Sequence, residues 1–79
     1  MRKSVHSEGL KAFCQVMAEA RDKAGLTQQK LADRLKKHQS FVAKYEGGER
    51  RIDVLEFITI ARAMGADPVR LLKALIRRI

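Results

Sequence analysis

Apolar residues recur at steps of three and four along most of the chain, and the breaks between these stretches carry helix-ending and helix-starting residues. Leu10, Phe13, Met17, Ala20 and Ala24 form the first stripe, the spacing of one helical face. Glu8 near its start and Lys23 near its end suit the helix dipole. Gly25 is placed to stop it in a left-handed conformation. Cys14 lies beside the stripe as a small core or boundary residue. Thr27 then caps a second, short helix whose inner face is Leu31, Ala32 and Leu35. Lys36-Lys37-His38 interrupts the pattern, and Gln39 to Glu46 makes a third helix with Val42 and Tyr45 on one side. Gly47-Gly48 ends it.

Asp53 and Glu56 give a fourth helix an Asp version of the capping box. Its expected inner stripe is Leu55, Ile58, Ala61 and Met64, with Gly65 as the stop. Asp67-Pro68 starts the fifth with a carboxylate cap and a first-turn proline. There Leu72, Leu75, Ile76 and Ile79 share one face, and Arg70, Lys73 and Arg77 another. The second and third helices are too short to persist alone, since isolated helices below roughly 12–15 residues are marginal. They must pack on the rest. The pattern predicts one all-α domain of five helices over residues 1–79, with 1–7 as a flexible arm and 67–79 as a C-terminal helix.

Composition narrows the chemistry. The chain has 79 residues, 46% of them hydrophobic, enough for a small core and too many for a disordered segment. Four aromatics and one proline argue against a β-sandwich. The stretch Phe57 to Ala61, apolar apart from Thr59, falls far short of the roughly 20 residues that span a bilayer. The basic start lacks the apolar segment of a signal peptide. With Cys14 as the lone cysteine, no internal disulfide forms, and a cytoplasmic setting is expected. Cys14, His6 and His38 are scattered, so no metal site is expected. A core this small leaves little room for a catalytic cleft, and we expect a binding protein without a cofactor, not an enzyme.

Seventeen Lys and Arg against nine Asp and Glu give a net charge of +8, which favours a polyanionic partner. The excess concentrates at the C-terminus and in the middle. There Lys30, Arg34, Lys36, Lys37, Lys44, Arg50 and Arg51 face only Asp33, Glu46 and Glu49. Two short helices around a turn of three or four residues make a helix-turn-helix, whose second helix enters the DNA major groove. That groove, ~12 Å wide, admits one helix. Val42 and Tyr45 supply the inner face this needs. Gln39, Ser40, Ala43 and Lys44 supply an outer face of types that match base edges. Phe41 has two readings: exposed toward a thymine methyl, or folded back onto the domain.

Gly25-Leu-Thr-Gln-Gln-Lys-Leu-Ala-Asp-Arg-Leu, followed by Gln39-Ser-Phe-Val-Ala-Lys-Tyr-Glu-Gly-Gly-Glu-Arg-Arg, resembles the Xre/Cro-type helix-turn-helix of phage repressors and many bacterial regulators. The likeness covers roughly residues 9–75. It implies a five-helix, lambda-repressor-like DNA-binding domain. By position it implies that Gln28 bonds a phosphate and braces Gln39. Gln39, Ser40 and then Lys44 would reach base edges. Thr27, Lys37, His38, Arg50 and Arg51 would lie along the phosphates, and Arg21 and Glu46 would form a partly buried ion pair. Three positions depart from the family: Lys36 replaces a turn glycine, Lys30 a capping-box glutamate, and His38 a Ser or Thr cap.

The function so implied is a transcriptional repressor of double-stranded DNA. It would act as a homodimer on half-sites about 34 Å apart. The Leu72, Leu75, Ile76 and Ile79 face would dimerise or close the monomer core. Other readings are an antitoxin that represses its own operon and binds a toxin, and a protein-binding adaptor on the same fold. Membrane-surface binding through the basic last helix is a further one, and we expect no membrane partner.

Overall fold

The computed structural model describes residues 2–79, with side chains from Glu8 onward. Helix α1 spans Arg2–Lys23, α2 Gln28–Leu35, α3 Gln39–Glu46, α4 Val54–Ala63 and α5 Pro68–Arg78, with no strand among the described residues. The side chains of the arm expected over residues 1–7, His6 included, lie outside those described.

Each helix ends where its local chemistry requires. Gly25 takes φ +74° after α1, and the amide of Leu26 returns to the Arg21 carbonyl at 3.2 Å. Thr27 Oγ1 accepts the Lys30 amide at 3.1 Å, although Lys30 supplies no carboxylate to complete a box. At α4 the box is complete: Asp53 accepts the Glu56 amide at 2.7 Å, and Glu56 accepts the Asp53 amide at 3.0 Å. Asp67 accepts the Val69 amide at 2.9 Å, with Pro68 in the first turn of α5.

Met17 of α1, Leu31 and Ala32 of α2, Val42 and Tyr45 of α3, and Ile60 of α4 form the core, all but fully buried. Phe13 stacks obliquely on Phe57 with centroids 6.2 Å apart, tying α1 to α4. Ala24, expected on the α1 stripe, lies beyond the helix end and is exposed. Two faces also differ from the sequence expectation. In α4 the core side is Phe57, Ile60, Ala61 and Met64, whereas Leu55 is 75% exposed. At 100° per residue Leu55 falls almost opposite Phe57. In α5 it is Leu71 that packs on the core, with Ala74 and Leu75 half-buried. Val69, Leu72, Ile76 and Ile79 are between 46% and 72% exposed. Of the two readings for that face, closure of the monomer core does not hold for Leu72, Ile76 and Ile79. Arg78 bridges to Glu19 at 2.6 Å and fastens the end of α5 to α1.

Candidate nucleic-acid interface

The turn between α2 and α3 sets the position of everything on α3. Lys36 sits there at φ 57°, ψ 43°. Its amide donates to the Asp33 carbonyl at 3.1 Å and that of Lys37 to Ala32 at 2.9 Å. The bonds that close a helix in the left-handed region are thus made without glycine, at a cost on the order of 1 kcal/mol. His38 has the extended backbone of an N-cap but donates or accepts no side-chain cap bond. The turn keeps its shape with two weak local terms, because burial of Leu31 and Ala32 on one side and Val42 and Tyr45 on the other holds the pair together.

Burial of Val42 and Tyr45 fixes the rotation of α3 about its axis. Gln39, Ser40 and Lys44 then fall on the exposed side, and Ala43 is half-buried between them. Phe41 projects toward the flank and is folded back, partly buried against the core. Its ring meets Tyr45 edge-on at 5.5 Å and 70°. Lys37 Nζ lies 5.3 Å from the ring centroid, and the Arg50 guanidinium carbon 4.8 Å. This corrects the reading of Phe41 as a base contact: its place about α3 is with Tyr45, away from Gln39 and Ala43.

A continuous polar chain runs behind the exposed face. Gln39 Nε2 donates to Gln28 Oε1 at 2.8 Å, and Gln28 Nε2 donates to Glu46 Oε1 at 2.9 Å. Arg21 grips the same carboxylate twice, Nε to Oε2 at 2.7 Å and Nη2 to Oε1 at 3.0 Å. Its Nη1 donates to the Leu26 carbonyl at 2.9 Å. The side chains of Arg21 and Glu46 are only 14% and 7% exposed, so solvent screens this pair little. Hydrogen bonding to Glu46 raises the Arg21 pKa above its already high ordinary value, against the opposing effect of burial. The chain orients Gln39: one amide hydrogen goes to Gln28, which leaves the other N–H and Oε1 for a further partner.

Two groups beneath α3 have perturbed acidities. Burial, with the Glu46 charge second, drives the Tyr45 phenol far above its ordinary value. Its hydroxyl is buried with no partner among the described residues. Cys14 of α1 donates its Sγ hydrogen to the Tyr45 carbonyl at 3.3 Å, and burial pushes that thiol up as well, with Glu46 adding to it.

Thr27, Lys37, His38 and Arg51 are exposed around α2 and α3, and Gln28 is half-buried. Arg50 is otherwise engaged. It holds Glu56 with both terminal nitrogens, at 3.1 and 3.0 Å, and donates to the Arg51 carbonyl at 2.9 Å. The carboxyl of Glu56 is held below the usual range, first by Arg50 and then by the Asp53 amide. Arg50 is thus paired within the protein at a position where the resemblance implies a phosphate contact. The Arg50–Glu56 and Cys14–Tyr45 contacts have no local sequence signal, since each joins elements across a loop or across the fold. Among the described residues no cluster of His, Cys, Asp and Glu is arranged to hold a metal ion, and no helix is long and apolar enough to cross a membrane.

Comparison with known proteins agrees with this geometry. Residues 17–71 match a family model described as Helix-turn-helix. Among solved structures, an XRE-family like protein from Pseudomonas syringae pv. tomato str. DC3000 is similar at 45% sequence identity. The match covers 96% of this chain and 93% of that one, with a TM-score of 0.88. No curated protein matches the chain.

Proposed function

The chain belongs to the XRE-type helix-turn-helix family, and on that premise we propose that it is a sequence-specific, double-stranded-DNA-binding repressor acting as a homodimer on a palindromic operator. The observation that carries this reading is the exposed side of α3 with Gln39 held in one orientation by Gln28. The remaining N–H and Oε1 of Gln39 match N7 and N6 of adenine, so this residue selects A·T. Lys44 suits guanine, the Ala43 methyl suits a thymine methyl, and Ser40 accommodates either strand's polar edge. Thr27, Gln28, Lys37, His38 and Arg51 lie along the phosphates and set the register. Leu72, Ile76 and Ile79, with Leu75 at their edge, offer the apolar surface for a second copy. Two copies then span half-sites about one helical turn apart. Repression follows from occupying the promoter and needs no chemistry.

Selection from a random duplex pool, followed by affinity measurements on variants, tests the assignment. Gln39→Ala and Lys44→Ala should each relax one or two positions of the selected site by ~1–3 kcal/mol. Arg51→Ala should weaken all sequences alike and lower the salt slope by about 1. Equal losses on selected and scrambled duplexes for all three variants would refute these roles. Sedimentation of Leu72→Asp against the parent chain tests the dimer, and an unchanged parent monomer at tens of micromolar would exclude it.

A further inference from the structure

Arg50 stands at the edge of the candidate DNA surface with its charge already answered. Three observations fix it there. Its guanidinium lies over Phe41, a residue of the first turn of α3, where Lys37 also sits. Both its terminal nitrogens bond the two oxygens of Glu56. Glu56 is in turn held by the amide of Asp53 as the third residue of α4. That bond restrains the carboxylate from following Arg50 if the arginine swings away. The arrangement sets a fork of donors against a ring at the end of α3 nearest the turn, and it engages their hydrogen bonds within the protein's own surface, with side chains 41% and 29% exposed.

On the reading of this surface as a DNA interface, we propose that Glu56 is a positioning residue that sets the sequence-independent part of DNA affinity: it withholds the Arg50 cation from the phosphate backbone. A phosphate contact adds affinity for every sequence equally. Tying up one arginine beside α3 therefore lowers the affinity for all duplexes, and its salt dependence, without touching a base contact. Phe41 serves the same end by giving the guanidinium an aromatic face to rest on. The arrangement is geometric as well as electrostatic: the α4 cap holds the acceptor in place.

The test compares the full chain with Glu56→Gln, Arg50→Gln and the double variant, measuring affinity for a non-cognate duplex between 50 and 200 mM salt. Glutamine at 56 retains the reciprocal cap bond and loses only the charge that holds Arg50. Glu56→Gln should steepen the slope of log K against log salt by about 0.9, the share of one phosphate. Over that fourfold salt range the affinity ratio then grows by about three- to fourfold. Arg50→Gln should leave the parent slope unchanged, and the double variant should return to it. On a selected operator, Glu56→Gln should steepen the slope by the same amount and leave the ratio of specific to non-specific affinity unchanged. An unchanged slope in Glu56→Gln would overturn the proposal, as would a steeper slope that survives in the double variant. A shallower slope in Arg50→Gln alone would show that Arg50 grips phosphate despite Glu56. The slope on non-cognate DNA is measurable whether or not an operator exists, so failure to select one would count against the repressor reading and leave this comparison standing.

Discussion

Removing the Glu46 carboxylate should destabilise the domain far more than removal of a surface charge. Glu46→Ala leaves Arg21 with the Leu26 carbonyl and Asp22 at the exposed margin, and takes away both short bonds at 2.7 and 3.0 Å. Exposed ion pairs contribute ~0.2–1 kcal/mol. Breaking a buried pair by deleting one partner costs ~3–5 kcal/mol, because the other charge is left without compensation. With side chains 14% and 7% exposed, this pair falls near the lower end of the buried class, at about 3 kcal/mol. A domain of this size is stable by ~5–15 kcal/mol in total, so the variant should lose a fifth or more of it. The melting temperature should drop by more than ~12 °C, at ~4–8 °C for each kcal/mol. Urea unfolding followed by circular dichroism measures the loss directly. The double variant Arg21→Met, Glu46→Leu removes both charges and should regain at least half of it. A loss below ~1 kcal/mol in Glu46→Ala, or a double variant no better than the single, would refute the argument that burial sets the strength of this pair.

Three further outcomes concern the core, the turn and the α1–α5 bridge. Tyr45→Phe removes a buried hydroxyl with no partner among the described residues and should raise the urea midpoint, by up to about 1 kcal/mol of stability. Lys36→Gly relieves a left-handed lysine and should be stabilising by ~0.5–1 kcal/mol in the same assay, less whatever glycine adds to the freedom of the unfolded chain. Arg78 holds the Glu19 carboxyl below its ordinary range. A carboxylate with a lowered folded-state pKa stabilises fully above its unfolded value and ceases to do so as pH falls through the folded one. Melting temperature should therefore fall between pH 5 and 3 (spanning the unfolded glutamate value of ~4.3), and Arg78→Gln should show a smaller fall than the parent.

The helix order was legible because stop and start residues are local chemistry: Gly25, Thr27, Asp53, Glu56 and Asp67-Pro68 mark ends with little help from tertiary structure. Which side of a helix faces inward was less so. In α5 the large apolar residues Leu72 and Ile76, with Ile79 just past its end, point outward, while Leu71 and Ala74 make the internal contact. Hydrophobic spacing identifies a stripe but not its occupant, and a stripe kept for another surface looks the same as one kept for the core. Leu55 misleads for a related reason, since it lies in step with Ile58 and Ala61 yet the packed side of α4 is centred on Phe57, Ile60 and Met64. For the candidate site, residue types on α3 were sufficient to place Gln39 and Lys44 on the exposed side. The fates of Phe41 and Arg50 were not readable, because Phe41 depends on its edge contact with Tyr45 and Arg50 on Glu56, which the sequence presents only as a cap for α4.

The eight-residue α3 has its inner face locked by Val42 and Tyr45 and its last turn clamped by Glu46 to α1. A reading element so constrained does not reshape itself to an imperfect site. Curvature and groove width must then be adjusted by the duplex, and the stiffness of base steps that the protein never touches becomes part of how tightly it is held.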